Sequence, residues 1–163
     1  MYAKDIITQS LDTSDHIARA YMADLDQKQM LERPAPGMNP IAWQIGHLLS
    51  VERKTIDGIK PGSCPALPAG FDEAHGKEAG LSDDTSKYLP KDQYLSLFEA
   101  QRKATKEVLA GLSEAELSAE PANTFQGMCP TVGHIFNFMG SHVMMHVGQF
   151  VPVRRNAGKP IVI

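Results

Sequence analysis

The sequence is short of cysteine and of surplus charge, and it has no uninterrupted hydrophobic run. Each scarcity removes a class of protein. Two cysteines in 163 residues, Cys64 and Cys129, are too few for a disulfide scaffold or a four-cysteine zinc site. Sixteen basic residues against nineteen acidic ones give a net charge of −3, without the concentrated basic charge of a nucleic-acid surface. No nucleic-acid partner is expected. The N-terminus, Met1-Tyr2-Ala3-Lys4-Asp5, lacks a basic stretch followed by an apolar run, so no secretory signal is expected and the cytoplasm is the expected setting. One stretch, residues 135–153, has the length and apolarity to suggest a span. Asn137, His142, His146, Gln149 and Pro152 interrupt it too often for about 20 residues in lipid, and no membrane association is expected. No segment alternates with the period of a strand, and no internal repeat is visible.

What is present is an ordinary globular composition, 42% apolar and 21% charged, over a length that suits one domain spanning residues 1–163. From Ala3 to Leu31, Ile6, Ile7, Leu11, Ile17, Tyr21, Leu25 and Met30 recur at helical intervals with charged residues between them, the pattern of an amphipathic helix. Asn39 as N-cap and Pro40 at the first helical position open a second helix, Ile41-Ala42-Trp43-Gln44-Ile45-Gly46-His47-Leu48-Leu49. Apolar on more than one side, it belongs inside the fold. Residues 58–89, rich in proline and glycine at their start, predict a long connection with at most a short helix, serving as crossover or lid. Pro90 opens a third helix through Gly111, Ser113-Glu114-Ala115-Glu116 offers a capping box for a short turn, and a fourth helix runs from Pro130-Thr131 to Asn156. These elements predict an all-α fold: a four-helix bundle with a long crossover between helices 2 and 3.

The chemistry lies in the histidines. His142 and His146, four residues apart, share one helix face about 6 Å apart along the axis, where both can reach one metal ion. Their stripe continues through Ile135, Met139, Gln149 and Val153. It faces the interior, where unpaired imidazoles need a partner. His47 lies mid-way along the other buried helix, one turn after Trp43, and packing helices 2 and 4 together can bring it to the pair. His134, about 12 Å before His142 on the same helix, is too far to share one ion with both. His16 and His75 read as structural.

The phrase His142-Val143-Met144-Met145-His146-Val147-Gly148-Gln149, followed by Arg154-Arg155-Asn156-Ala157-Gly158-Lys159-Pro160, resembles the last helix of the DinB-like (YfiT-like, damage-inducible) four-helix-bundle metalloproteins. Ile41-Ala42-Trp43-Gln44-Ile45-Gly46-His47-Leu48 resembles that family's second helix. The order of helices extends the resemblance over essentially the whole chain. It implies that His47, His142 and His146 hold one divalent ion, zinc or nickel. It also implies kinship with thiol transferases that use bacillithiol or mycothiol, and a capacity to form homodimers.

Three neutral imidazoles leave the ion its charge and an open position, the arrangement of catalytic rather than closed structural sites. Imidazole suits zinc, nickel, iron and copper alike, so iron stays open. In the HExxH protease motif a glutamate follows the first histidine; here that residue is Val143. The expectation is therefore a metal-dependent enzyme acting on a small molecule. Thiol transfer to an electrophile, or a related hydrolysis or addition, needs no adjacent base, and a low-molecular-weight thiol is the expected partner. The alternative is a non-catalytic metal-binding stress or interaction protein. Glu52, roughly 140° around the helix from His47, reads as solvated or salt-bridged, or else as a base or supporting partner. Gln149 and Trp43 are candidate supports of the ligands, Gln149 bonding either a ligand or a neighbouring helix. Gly148 is expected to admit a neighbouring helix. Arg154, Arg155 and Lys159 complement the helix dipole or receive an anionic cosubstrate. Met128, Met139, Met144 and Met145 offer adaptable apolar lining.

Overall fold

A computed structural model describes residues 3–122 and 127–162 of the chain. Among these residues all regular structure is helical, in the order α1 (Ala3–Ala23), α2 (Gln27–Leu31), α3 (Ile41–Ile59), α4 (Phe71–Ala74), α5 (Lys77–Gly80), α6 (Lys91–Gly111), α7 (Glu114–Ser118), α8 (Val132–Gly148) and α9 (Val151–Asn156). The four long helices, α1, α3, α6 and α8, form the expected four-helix bundle. Helix α1 packs against α8 and α6, and α3 against α6 and α8. The order around the bundle is thus α1, α8, α3, α6, with consecutive long helices α1 and α3 on a diagonal. That order sets α3 beside α8.

Three boundaries differ from the sequence expectation, each for a local reason. The first helix ends at Ala23 rather than Leu31. Asp26 caps α2 by accepting from the backbone of Gln29 at 2.8 Å, and the Gln29 side chain accepts from the Asp26 backbone at 3.0 Å. This reciprocal box gives the amides partners that a continuous helix would otherwise supply. The last helix is divided at Gln149–Phe150. Pro152 has no N–H for the carbonyl of Gly148, and its ring crowds that position. Asn39 does not cap α3; Pro40 holds the cap position without a side-chain bond, and the Asn39 side chain instead lies against Gly80. Residues 58–89 are a crossover bearing the two single-turn helices α4 and α5.

The crossover is fastened along its length. Arg53 donates to the Pro65 carbonyl, and the Trp43 indole donates to the Gly76 carbonyl at 3.0 Å. Arg33 donates to the carbonyls of Gly80 and Ser82. His75 is buried between α3 and α6, its ring 2.7 Å from both the Phe71 carbonyl and the Tyr94 hydroxyl.

Two apolar clusters fill the bundle. One gathers Ile17, Tyr21, Trp43, Ile45, Phe98, Val143 and Phe150; the other gathers Leu11, Ile56, Val108, Ile135, Phe136 and Met139. Between them the long helices contribute a polar layer: Ser14 from α1, Glu52 from α3, Gln101, Arg102 and Thr105 from α6, and His142 from α8, all buried. Close helix approach occurs at Gly140, where a Cβ would lie 2.8 Å from Ser10 Oγ and 3.2 Å from the Ser10 carbonyl oxygen. The expectation for Gly148 is overturned, because it is exposed and a Cβ there would meet nothing within 4 Å. Among the described residues, no helix is long and apolar enough to cross a membrane.

Candidate metal centre

The α3–α8 contact brings His47 to His142 and His146. One ring nitrogen from each lies within 4.8 Å of the others. Ring centroids are 5.0 Å apart for His142 and His146, and 5.4 Å for each of them with His47. The ring planes meet at 71°, 84° and 50°, so the three rings do not stack on one another. Among the described residues no Asp, Glu or Cys joins the group. His142 is buried, while His47 and His146 are half-buried.

Each imidazole is held by a different neighbour. Trp43 stacks on His47 at 4.9 Å with planes 6° apart; with its indole N–H on the Gly76 carbonyl, the tryptophan ties His47 to the crossover. Phe138 stacks on His142 at 5.4 Å and 10°. Gln44, buried on α3, places its Oε1 2.9 Å from His146 Nδ1. Gln149 does not fill that supporting place. It ends α8 half-exposed, and its backbone N–H returns to the His146 carbonyl. Gln44 was missed in the sequence, although a polar residue in a helix buried on all sides is itself a signal.

Burial pushes all three histidines below the usual imidazole range. His142 falls to about 4, lowered further by the charges of His47 and Arg102, and His146 to about 3, lowered further by the other two histidines. His47 is lowered by burial. All three are therefore neutral near pH 7, the state in which imidazole ligates a metal. Neutral, convergent nitrogens with no carboxylate among them fit one divalent cation with three protein ligands.

Beside the cluster runs the polar layer. Glu52 is buried and salt-bridged rather than solvated: Arg102 Nη2 lies 3.2 Å from its Oε2, and the Thr105 hydroxyl donates to its Oε1 at 2.6 Å. Arg102 Nη2 also donates to the carbonyl of Met139, one turn before His142. A cleft of about 540 Å³ opens between α1 and α6 with Arg102 in its lining; its lining includes none of the three histidines.

Other residues singled out by sequence fall away from the site. The ring of His134 pairs with Thr131, the cap of α8, and Cys129 is buried. Arg154 is buried and committed, donating to the carbonyls of Tyr21 and Pro160 and pairing with Asp24. It has no reach toward an anionic cosubstrate. Met139 is in the core, whereas Met128, Met144 and Met145 are exposed.

Solved structures share the fold. A conserved protein from Enterococcus faecalis superposes with a TM-score of 0.70 at 18% identity, covering 98% of this chain and 99% of its own. YfiT from Bacillus subtilis, described as a probable metal-dependent hydrolase with an unusual four-helix bundle topology, also gives 0.70, at 13% identity, covering 96% of this chain and 89% of its own. Among curated proteins, none matches this sequence. The DinB superfamily model matches residues 10–150. With that match spanning most of the bundle and both ligand-bearing helices, the chain belongs to the DinB superfamily.

Proposed function

We propose that this protein is a metal-dependent enzyme that holds one divalent cation through His47, His142 and His146 and acts on a small molecule. The observation that carries this reading is the convergence of three neutral imidazoles, two of them half-buried, with no Asp, Glu or Cys joining them among the described residues. When bound, such a cation supplies a Lewis acid with an open position, able to polarise a substrate oxygen and to acidify a thiol or a water. The chain's own groups hold the ligands in place. Trp43 and Phe138 press the faces of His47 and His142, and Gln44 fixes His146. Glu52, the carboxylate of the neighbouring polar layer, is committed to Arg102 and Thr105, so it is not free to serve as a base. This favours chemistry whose nucleophile needs no protein base, and within it transfer of a low-molecular-weight thiol to an electrophile. Hydrolysis, in keeping with the description of YfiT as a probable metal-dependent hydrolase, would use the same three ligands, with water acidified in place of a thiol. Three imidazoles suit zinc, nickel and iron alike, and the likeness to DinB-like metalloproteins favours zinc or nickel.

Metal analysis of protein purified without a nickel column tests the ligand set. A stoichiometric divalent ion is expected in the wild type and its loss in His142→Ala; full retention by that variant would sink the reading. The metal-loaded protein is then offered thiols with a panel of electrophiles, and separately ester and amide substrates. Turnover that disappears in His142→Ala is expected. A tightly bound ion with no turnover on any of them would mark a binding protein instead.

A further inference from the structure

Gln44 on α3 reaches across to the ring of His146 on α8. The carboxamide of Gln44 is buried and occupied at both ends: Nε2 donates to the Asn39 carbonyl at 2.9 Å, and Oε1 lies 2.9 Å from His146 Nδ1. The first bond fixes which way the amide faces. Turned over, it would set its oxygen against the Asn39 carbonyl oxygen, two acceptors with no proton between them. The Asn39 carbonyl is open to this bond because it lies before the cap residue Pro40, whose own carbonyl is the first helical acceptor, from the Gln44 N–H at 3.0 Å. With the amide orientation set, Gln44 can only accept from the imidazole. The proton of neutral His146 therefore sits on Nδ1, and the lone pair sits on Nε2. A free imidazole side chain prefers the opposite arrangement, so this state is imposed by the site.

Resting on the three-histidine reading of the site, we infer that Gln44 is a positioning residue for the cation. It fixes His146 in the Nδ1–H tautomer, leaves Nε2 as the ligand atom, and holds the ring against rotation. The reasoning extends to how the site is assembled. Gln44 and His47 lie three residues apart on α3, so one helix carries both a ligand and the group that orients a ligand on α8. The register of α3 against α8 is thereby coupled to the ligand geometry, and a shift of either helix would disturb two of the three donors together. An outer hydrogen bond of this kind typically changes metal affinity by about 10–100-fold.

The test uses the full chain with Zn²⁺ as probe, in wild type, Gln44→Leu and Gln44→Glu, with the fold of each checked by circular dichroism. In the metal-free wild type, the imidazole ¹⁵N spectrum at neutral pH is expected to show His146 in the Nδ1–H tautomer, and in Gln44→Leu to lose it. Chelator competition is expected to give a Zn²⁺ affinity about 10–100-fold weaker in Gln44→Leu. Gln44→Glu, which keeps an acceptor beside Nδ1, is expected to return it to the wild-type range. A wild-type His146 in the Nε2–H tautomer overturns the inference. Equal affinities of wild type and Gln44→Leu overturn it too, as do equal losses in both variants, which would mark a packing role. A wild type that binds no Zn²⁺ overturns the metal-centre reading itself, an outcome separate from the others. If Gln44→Leu fails to fold, the wild-type tautomer and the Gln44→Glu affinity decide alone.

Discussion

The imidazole of His75 occupies the space that a side chain at Gly46 would fill: a Cβ built there would lie 1.9 Å from His75 Cδ2. Gly46 precedes the ligand His47, and His75 belongs to the crossover, so the glycine is what lets the crossover seat its ring against α3. The ring is then held by the Phe71 carbonyl and the Tyr94 hydroxyl. Replacing Gly46 by Ala improves helix propensity by roughly 0.5–1 kcal/mol but forces the ring out. A net loss of about 1–3 kcal/mol is expected. Urea titration of Gly46→Ala, His75→Ala and the double variant checks the cause. In the His75→Ala background the glycine substitution should be neutral or stabilising. The same loss in both backgrounds would mean that the clash lies elsewhere.

The buried pair Glu52–Arg102 gives a second prediction. Both side chains are almost wholly enclosed, and Arg102 Nε and Nη1 have no hydrogen-bond partner among the described residues. Removing one member leaves a bare charge in the core, at a cost of about 3–5 kcal/mol. Glu52→Leu and Arg102→Met are each expected to be strongly destabilised, and the double variant to be more stable than either single one. Denaturation midpoints of the three variants measure this. A double variant as unstable as the sum of the two would show that packing, rather than charge, holds the layer together.

How much of this was legible in the sequence follows from range. The four long helices, the crossover at 58–89 and the His142–His146 pair were visible because each is written in local spacing. The approach of His47 required α3 to lie beside α8, and periodicity cannot say which buried helices are neighbours; the family's pattern supplied it. The break before α9 is written in Pro152, although the apolar stripe runs across it to Val153. Distance along the chain favours Gln149, on the same helix as His146, whereas the place of Gln44 beside that ring depends on how α3 packs against α8. The angle of Glu52 from His47 shows only that it faces away from the ligand. A helix buried on most of its surface has a partner on that side too, and Arg102 supplies it from α6.

Two glycines of α8 should respond in opposite directions. At Gly140 a Cβ would press on Ser10, including its backbone oxygen at 3.2 Å, while at Gly148 it would meet open space. Gly140→Ala is expected to lose about 1–3 kcal/mol by pushing α1 from α8. Gly148→Ala is expected to gain up to about 1 kcal/mol from helix propensity. Thermal or urea unfolding of the two variants decides it, and losses of the same size at both positions would contradict the packing described above.

The lowered histidines set a pH dependence whose sign can be worked out. In the unfolded chain these imidazoles take up protons near 6.5, whereas in the native state His142 does so only at about 4 and His146 at about 3. Below 6.5 the unfolded state therefore binds more protons, and stability falls as pH falls from 6.5 toward 4; above 6.5 these groups contribute no slope. His75 and His47, also lowered by burial, act in the same sense. Glu52 acts oppositely, because burial raises its carboxyl and favours proton uptake by the native state, so the wild-type slope alone does not isolate the cluster. His146→Leu removes one contributor and leaves Glu52 untouched. Its stability should fall less steeply between pH 7 and pH 5 than that of the metal-free wild type. The same displacement means that protons compete with a bound cation only well below 6.5, so Zn²⁺ retention by the wild type should be nearly flat from pH 7.5 to pH 6. Equal slopes in the two proteins, together with Zn²⁺ release centred on 6.5, would show that the three rings titrate as ordinary exposed histidines and do not share one buried site.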